Sequence, residues 1–381
     1  MSRSAIYEGP KSGHGSRGRA PAGPGRAYGL LARYRRYRGP LENLKVTREP
    51  AKYGYAVGRI KVREMGLLNS QRLGRLIEAD FDEALHILEE ADYGDYLKGS
   101  RVASDVDAGL MRFLQDLYEL LREITPAGSH IAEFLLDRYD FHNLKVLLKQ
   151  RCCGEQNEGP MLDLGTLDPE ALRVALENPA KLPQHLVGPV LEVLALPEIT
   201  SQWVDTVVDR HFFEHRLVLA REEHSGFMEE FARTSLDLAN IKILLRAKNL
   251  GKDAGFLERA LAEGGRMGKV WMAALVTQPA EEMLRALGGS RYAAGLLQFL
   301  GVEDEQIRLT DYDKRADDLM MAQLHQARRI AVGVEPILGY IRGRENDVAV
   351  LRIILMGKLH NLSPEAIERH VRRLYVDKER L

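Results

Sequence analysis

One pattern in the sequence could bind a metal ion, His-Phe-Phe-Glu-His at positions 211–215. His211 and His215 are four residues apart, so a helix would place both imidazoles on one face. With a glutamate general base between them, this is the pattern of the inverted zinc peptidases. An internal repeat described below aligns His211 with Leu114 and Met321, which are typical core residues. We therefore predict packing positions here and no metal site.

A second pattern, Glu-Gly-Gly-Arg-Met-Gly-Lys-Val at positions 263–270, resembles a phosphate-binding loop. Three residues separate Gly264 from Gly268, whereas the phosphate loop has four, and Val270 stands where the magnesium-binding hydroxyl should be. The sequence shows neither a serine nucleophile elbow nor a dinucleotide-binding glycine pattern in a strand context. We therefore expect no nucleotide, no cofactor and no catalytic residue.

The elements that carry these residues are predicted to be helices. Leu, Ala, Glu, Arg and Lys recur with helical spacing, while aromatic residues make up only 7% of the 381 residues. Alternating β-branched runs, which would indicate strands, are scarce. The predicted fold class is all-α. No apolar run approaches the roughly 18 residues of a membrane helix, so we expect a soluble or peripheral protein.

The two cysteines and the chain start suggest a reducing compartment. Cys152 and Cys153 are adjacent, so neither a disulfide framework nor a cysteine-based zinc site can form. The first ten residues lack the apolar core of a secretory signal. We expect reduced thiols in a cytoplasmic protein.

Residues 1–50 are predicted to be a disordered basic extension. They are rich in Gly, Pro and Arg, and basic side chains exceed acidic ones by roughly eight. Such an arm could bind nucleic acid or anionic lipid. The simpler interpretation is an extension without a role, or a start codon assigned too far upstream.

Three segments share one formula: an acid, three residues later a polar or small side chain, then an aliphatic residue and a cation. The acids are Asp140, Asp237 and Asp347, and the cations are Lys145, Lys242 and Arg352. Self-similarity at a spacing near 100 residues indicates a duplicated unit. We predict three helical repeats, and their boundaries are 51–165, 166–275 and 276–381.

Helical geometry assigns packing roles to the motif. Leu144 and Leu148 fall on one apolar stripe, and Asn143 lies at its edge. Asn143 and Asn240 should be half-buried and bonded to a backbone or a neighbouring helix, because an unpaired buried amide is costly. Val350 takes the same place in the third copy and fits a packed position.

The ends of the helices are also predicted. About thirty residues before each motif acid, another acid opens an amphipathic stretch and suits the positive end of a helix dipole. These acids are Asp107, Asp205 and the pair Asp317 and Asp318. Each motif helix should end at a glycine, and the three glycines are Gly154, Gly251 and Gly357.

The three cations point away from the apolar stripe. If the units surround a pseudo-threefold axis, Lys145, Lys242 and Arg352 occupy three related places. Ordinary solvated or ion-paired surface is the simpler interpretation. The alternative is a set of contacts to a partner on the axis, which makes these residues candidates for a partner interface.

Five stretches together resemble a known family. They are YGYAVGRIKVREMGLL (53–68), LIEADFDEALHILEEADYGDYL, DFHNLKVLLK, LDLANIKILLRAKNLG and the ending from ENDVAVLRIILMGKLHNL onward. In this order they resemble the C subunit of bacterial and archaeal V/A-type ATPases, the counterpart of the d subunit of the eukaryotic V-ATPase. The resemblance covers about residues 51–381. The basic arm has no counterpart in that family, and the third motif lacks the asparagine.

The resemblance implies a funnel of three related helical domains with a central socket, peripheral to the membrane on the cytoplasmic face. It implies a non-catalytic rotor subunit of a V/A-type ATPase or ATP synthase. This subunit would couple the membrane proteolipid ring to the central stalk for rotary, ATP-linked transport of protons or sodium ions. The expected partners are the ring and the central stalk subunits, with no nucleotide and no nucleic acid.

Two other functions remain open at this point. One is a helical-repeat scaffold unrelated to rotary ATPases, although a period near 100 residues is long for such repeats. The other is a nucleic-acid-binding protein that uses the basic arm.

Overall fold

The computed structural model describes residues 47–154, 159–292, 295–303 and 306–376. Helices dominate these residues, which confirms the all-α prediction. Residues 1–46 of the predicted basic extension lie outside the described residues.

The helices in chain order are α1 (Gly54–Arg63), α2 (Ser70–Glu78), α3 (Phe81–Glu89), α4 (Gly94–Leu97), α5 (Ala103–Ile124), α6 (Ile131–Cys153), α7 (Pro169–Leu176), α8 (Gln184–Leu194), α9 (Ser201–Glu222), α10 (Gly226–Asn249), α11 (Ala254–Ala260), α12 (Lys269–Leu275), α13 (Ala280–Leu287), α14 (Tyr312–Leu324), α15 (Val334–Leu359) and α16 (Pro364–His370). Short 3-10 helices cover Pro50–Tyr53, Glu64–Gly66, Pro179–Lys181, Leu297–Phe299 and His325–Arg329. Strands β1 (Val302–Glu303) and β2 (Gln306–Ile307) form a small antiparallel hairpin.

Six long helices pack in a closed cycle. Each helix contacts the next in the order α5, α6, α9, α10, α14 and α15, and α15 returns to contact α5. The three helices that carry the repeated motif, α6, α10 and α15, also meet one another. α15 contacts both of the others, and the rings of Phe134 on α6 and Phe231 on α10 lie 6.4 Å apart. The motif helices therefore form the inside of the cycle.

The hydrophobic core follows this arrangement. One cluster joins the motif helices through residues such as Leu136, Phe231 and Ile341. A second cluster packs short helices α11 to α13 on the C-terminal half of α10, and a third packs α7 and α8 on α6. α15 receives short helices from the opposite end of the chain, since α1 and α3 contact it. Each motif helix is thus covered by short helices.

Two predicted helix ends are confirmed and one is wrong. Gly154 ends α6 with φ of 69°, and Gly251 follows α10 with φ of 63°, both in the left-handed region that glycine favours. α15 continues through Gly357 to Leu359. There the missing side chain serves packing, because a Cβ on Gly357 would lie 2.8 Å from Cγ1 of Ile367.

The predicted helix starts are wrong by about one turn. α5, α9 and α14 begin at Ala103, Ser201 and Tyr312, so the acids at 107, 205, 317 and 318 lie inside the helices. The N-cap of α9 is the Thr200 side chain, which accepts from the backbone N–H of Trp203. The acids inside these helices are available for contacts with other helices instead.

Within the described part of the chain, no helix has both the length and the apolarity that a membrane span requires.

Candidate functional site

The acid that opens the first motif binds the loop that follows its helix. Asp140 on α6 is fully buried. It accepts hydrogen bonds from the backbone N–H of Thr166 at 3.0 Å and of Leu167 at 3.1 Å, and from Oγ1 of Thr166 at 2.6 Å. A Cβ on Gly165 would lie 2.0 Å from Oδ1 of Asp140, so only glycine allows the loop to approach this closely. Burial raises the pKa of Asp140, while the hydrogen bonds act to lower it.

The second motif repeats this arrangement. Asp237 on α10 is fully buried and accepts from the backbone N–H of Arg266 at 3.0 Å and of Met267 at 3.2 Å. It also accepts from the hydroxyl of Tyr292 at 2.6 Å. A Cβ on Gly265 would lie 2.0 Å from Oδ1 of Asp237. The acid again fixes a glycine-containing loop to the motif helix.

In the third motif, the donors come from the beginning of the chain. Asp347 on α15 is fully buried and accepts from the backbone N–H of Leu68 at 2.9 Å and from the hydroxyl of Tyr93 at 2.7 Å. Tyr93 follows Leu68 by 25 residues, as Tyr292 follows Met267. The segment that contains α2 to α4 therefore supplies the hydrogen-bond donors for the motif acid of α15. The segment after α10 supplies them for the motif acid of α10.

The motif asparagines hold the same loops at a second point. The side-chain amide of Asn143 pairs with the backbone of Leu162: Nδ2 donates to the carbonyl and Oδ1 accepts from the N–H, each at 2.8 Å. Asn240 makes the same two bonds with Ala262, at 2.9 and 3.0 Å. The predicted backbone partners are confirmed, and both side chains are fully rather than half buried. Val350 is also fully buried, as predicted for a packed position.

We expect Gly265→Ala to destabilise the fold by about 1–3 kcal/mol, because the new methyl group must displace the buried carboxylate of Asp237. Urea denaturation followed by circular dichroism would measure this change.

The control for this substitution is Gly58→Ala, at an exposed position of α1 with no atom within 4 Å of the added Cβ. It should stabilise the chain by up to about 1 kcal/mol, because alanine is the better helix former. Equal effects of the two substitutions would show that the close approach of the loop to Asp237 does not contribute to the free energy of unfolding.

The segment that resembles a phosphate loop forms hydrogen bonds with a motif acid. The backbone N–H groups of Arg266 and Met267, within residues 263–270, point at the carboxylate of Asp237. An internal anion therefore takes the place that a phosphate would have. This agrees with the mismatch in glycine spacing.

The three predicted interface cations lie in ion pairs between helices. Each pairs with an aspartate on the next long helix of the cycle, so that α6 is joined to α9, α10 to α14 and α15 to α5. The pairs are Lys145 with Asp209 (2.8 Å), Lys242 with Asp313 (2.5 Å) and Arg352 with Asp107 (2.8 Å). The sequence singled out Asp107, but as a helix-start residue, and it gave no signal for Asp209 and Asp313.

These cations remain partly accessible. The exposed fractions of the side chains are 23% for Lys145, 28% for Lys242 and 43% for Arg352. Their role in binding a partner stays a prediction, but any partner must compete with, or bridge to, the aspartates. At such exposure each pair contributes only about 0.5 kcal/mol to stability.

A buried charge cluster lies where α5, α6 and α15 meet. Glu345, whose side chain is 7% exposed, accepts from Arg138 at 2.8 Å, from Arg342, and from the hydroxyl of Tyr118 at 2.7 Å. Burial alone would raise the pKa of Glu345, but the two guanidinium groups bring it below its usual range. No sequence pattern indicated this cluster, because Glu345 and Arg342 lie about 200 positions or more after Tyr118 and Arg138.

The side chains of the zinc-peptidase pattern diverge. Nε2 of His211 lies 2.9 Å from a carboxylate oxygen of Glu192 on α8. Glu214 accepts from the backbone N–H of Glu263 at 3.1 Å. His215 points elsewhere, toward α6 and α8. The pattern therefore does not converge on one ion.

Comparisons with known proteins agree with the resemblance in the sequence. The family model described as ATP synthase (C/AC39) subunit matches residues 56–370. The C subunit of the A-type ATP synthase of Methanocaldococcus jannaschii is 25% identical over 346 residues, which cover 85% of this chain and 87% of the relative. The C subunit of the V-type sodium ATPase of Enterococcus hirae is 26% identical, over 83% and 97% of the two chains.

The C subunit of the V-type ATP synthase of Thermus thermophilus is 25% identical over 84% of this chain and 98% of its own. The match over most of the chain confirms the family resemblance that the five sequence stretches indicated. The chain belongs to the ATP synthase (C/AC39) subunit family.

Proposed function

We propose that this chain is a non-catalytic rotor subunit that couples a membrane proteolipid ring to the central stalk of a V/A-type ATPase or ATP synthase. The observation that carries the proposal is the closed cycle of six helices, tied at three joints by matching cation–aspartate pairs. A coupling part must not twist under load, because elastic deformation stores energy instead of transmitting it. A closed, densely packed cycle of helices is suited to this demand.

The proposed architecture is a funnel of three related units around a pseudo-threefold axis, with a central socket for the stalk. The similar bonding of the three motif acids supports equivalence of the units. The bonds from Leu68 and Tyr93 to Asp347 support a closed arrangement, because they join residues 279 and 254 positions apart in the chain. Of the proposed units 51–165, 166–275 and 276–381, these bonds would join the first to the third.

Two sequence patterns could have formed a catalytic site, but their residues form bonds inside the fold instead. This supports a non-catalytic role. The residues of 263–270 bind Asp237, and the side chains of His211 and Glu214 have hydrogen-bond partners within the fold. We further propose that the chain is peripheral, on the cytoplasmic face of the membrane, with the ring and the central stalk as its partners. The transported ion would be a proton or a sodium ion.

Cross-linking would test the rotor assignment. A cysteine on this chain, joined to the central stalk, should leave ATP hydrolysis by the intact complex unchanged, because both parts rotate together. A cross-link to a stationary membrane component should stop hydrolysis, and reduction of that cross-link should restore it. If the stalk cross-link stops hydrolysis, or if neither ring nor stalk co-purifies with the chain from detergent-solubilised membranes, the proposal is wrong.

Charge reversal would test the three cations as a partner surface. We expect the triple variant Lys145→Glu, Lys242→Glu and Arg352→Glu to lower affinity for the stalk by about tenfold or more. Three lost contacts of about 0.5 kcal/mol each amount to roughly 1.5 kcal/mol. The measurement is the amount of stalk protein that co-purifies, and the difference from the native chain should shrink at high salt.

A charge swap separates partner contacts from internal ones. Adding Asp209→Lys, Asp313→Lys and Asp107→Arg to the triple variant restores the internal pairs with opposite polarity. If the cations contact a partner, thermal stability recovers while binding of the stalk stays weak. If binding recovers as well, the three cations act only inside the chain.

A further inference from the structure

Three side chains from separate helices converge where α6, α8 and α9 meet. Glu133 lies in the first turn of α6, His185 in the first turn of α8, and His215 on α9. The two imidazole rings stack with centroids 4.3 Å apart and planes 7° apart. Oε1 of Glu133 lies 3.4 Å from Nε2 of His215 and 4.0 Å from Nδ1 of His185. Each residue offers a ligand atom within 4.8 Å of the other two.

These distances are close to those of a tetrahedral metal site. Zn²⁺ binds histidine nitrogen and carboxylate oxygen at about 2.0–2.2 Å, so neighbouring ligand atoms are about 3.4 Å apart. The spacing of Glu133 and His215 already has this value. The rings of His185 and His215 are stacked and parallel, so both cannot point a lone pair at one ion as they stand. The ring of His185 must rotate out of the stack to aim Nε2 at the ion.

The cluster is incompletely satisfied by the protein itself. Nε2 of His185 and Nε2 of His215 are both buried without a well-aligned hydrogen bond. Leaving a buried polar atom unpaired costs about 1–3 kcal/mol. The side chain of Glu133 is 35% exposed, so an ion can reach the cluster from solvent. The ring of Phe141, centred 5.9 Å from His185, supplies an apolar wall.

We propose that Glu133, His185 and His215 bind one borderline divalent transition-metal ion, with Zn²⁺ as the probe. Two imidazoles and one carboxylate are a ligand set that suits such ions, and the fourth position would hold water. The ion would join α6, α8 and α9 and thereby stabilise the folded chain. The sequence predicted no metal site, because the repeat aligns 211–215 with packing positions. Glu133 and His185 lie about eighty and thirty positions before His215, so no local spacing links the three residues.

Titration calorimetry of the tag-free, metal-free full chain with Zn²⁺ would test this site. Substituting Cys152→Ser and Cys153→Ser in all samples removes competing thiols. We expect one equivalent to bind, and the affinity to fall more than about 100-fold in His185→Gln and in His215→Gln, since even residues behind the ligands often contribute 10–100-fold. Co²⁺ in place of Zn²⁺ should give the visible absorption of a four-coordinate site.

The matched control is His86→Gln, which removes an exposed histidine that also lies beside a glutamate. It should leave the affinity and the stoichiometry unchanged. Glu133→Gln keeps the shape of the side chain and removes its charge, so it tests the ligand even if a histidine variant fails to fold. Absence of saturable one-to-one binding to the parent chain, or equal affinity of Glu133→Gln and the parent, would overturn the proposal.

Discussion

Asp237→Ala is expected to lower the free energy of unfolding by about 3–5 kcal/mol. The substitution leaves the backbone N–H groups of Arg266 and Met267 and the hydroxyl of Tyr292 without their acceptor. Hydrogen bonds to a charged group contribute about 1.5–3 kcal/mol each, and a donor left unpaired in the interior adds its desolvation cost. Urea denaturation followed by circular dichroism, and by the fluorescence of Trp271 in the adjacent α12, would measure the loss.

Asp168→Ala is the control for this substitution. Asp168 caps α7 at the surface and accepts from the backbone N–H of Ala171 at 2.7 Å. Loss of such a cap should cost about 1 kcal/mol. A comparable cost for the two aspartates would mean that the buried arrangement is no stronger than an ordinary helix cap, contrary to our expectation.

The cost of Asp237→Ala should also depend on pH. Burial raises the pKa of Asp237 from 3.8 to about 6, although Tyr292 and the two backbone donors act to lower it. A carboxyl with a raised pKa in the folded state contributes stability that is fully present below pH 3.8. This stability is lost as the pH rises through 6. The difference between native chain and variant should therefore be about 1 kcal/mol larger at pH 5 than at pH 7.5.

A second large loss, again about 3–5 kcal/mol, is expected for Glu345→Ala. This change leaves Arg138 and Arg342 facing each other without the carboxylate that both of them bind. Removing one partner of a buried ion pair costs this much because the remaining charge is desolvated and uncompensated. Here two charges remain, and the hydroxyl of Tyr118 also loses its acceptor. The shift in the urea midpoint at constant slope would measure the effect.

Glu170→Ala is the matched control on the surface. Glu170 pairs with Arg173 at 3.2 Å, and its side chain is 69% exposed. Its removal should change stability by no more than about 0.5 kcal/mol. Glu345→Gln should fall between the two, because it keeps the shape of the side chain without its charge. A cost below about 1 kcal/mol for Glu345→Ala would show that the cluster does not hold α5, α6 and α15 together.

Both predictions concern bonds made by the inner, motif-bearing helices of the cycle. Asp237 fixes a loop to the inner helix α10, and Glu345 joins the inner helices α6 and α15.

The sequence by itself determined the helical class, the repeated motif and the membership of the family. It also indicated that Asn143 and Asn240 bind a backbone and that Val350 is packed, although it underestimated the burial of the two asparagines. The helical class and the packing positions depend on side chains three or four residues apart on one helix, and that spacing can be read directly from the sequence. The same local logic placed the helix starts about one turn late, because an acid inside a helix and an acid at its cap look alike in a sequence.

Only the tertiary structure decided which groups those side chains meet. Asp347 binds Leu68 and Tyr93 near the start of the chain, which no periodicity could indicate. Lys145, Lys242 and Arg352 each face an aspartate on the next helix of the cycle. Closure of the cycle brings together residues that are from about 60 to almost 280 positions apart. Such pairings are set by how whole helices pack, and neither the composition nor the spacing of a single segment contains that information.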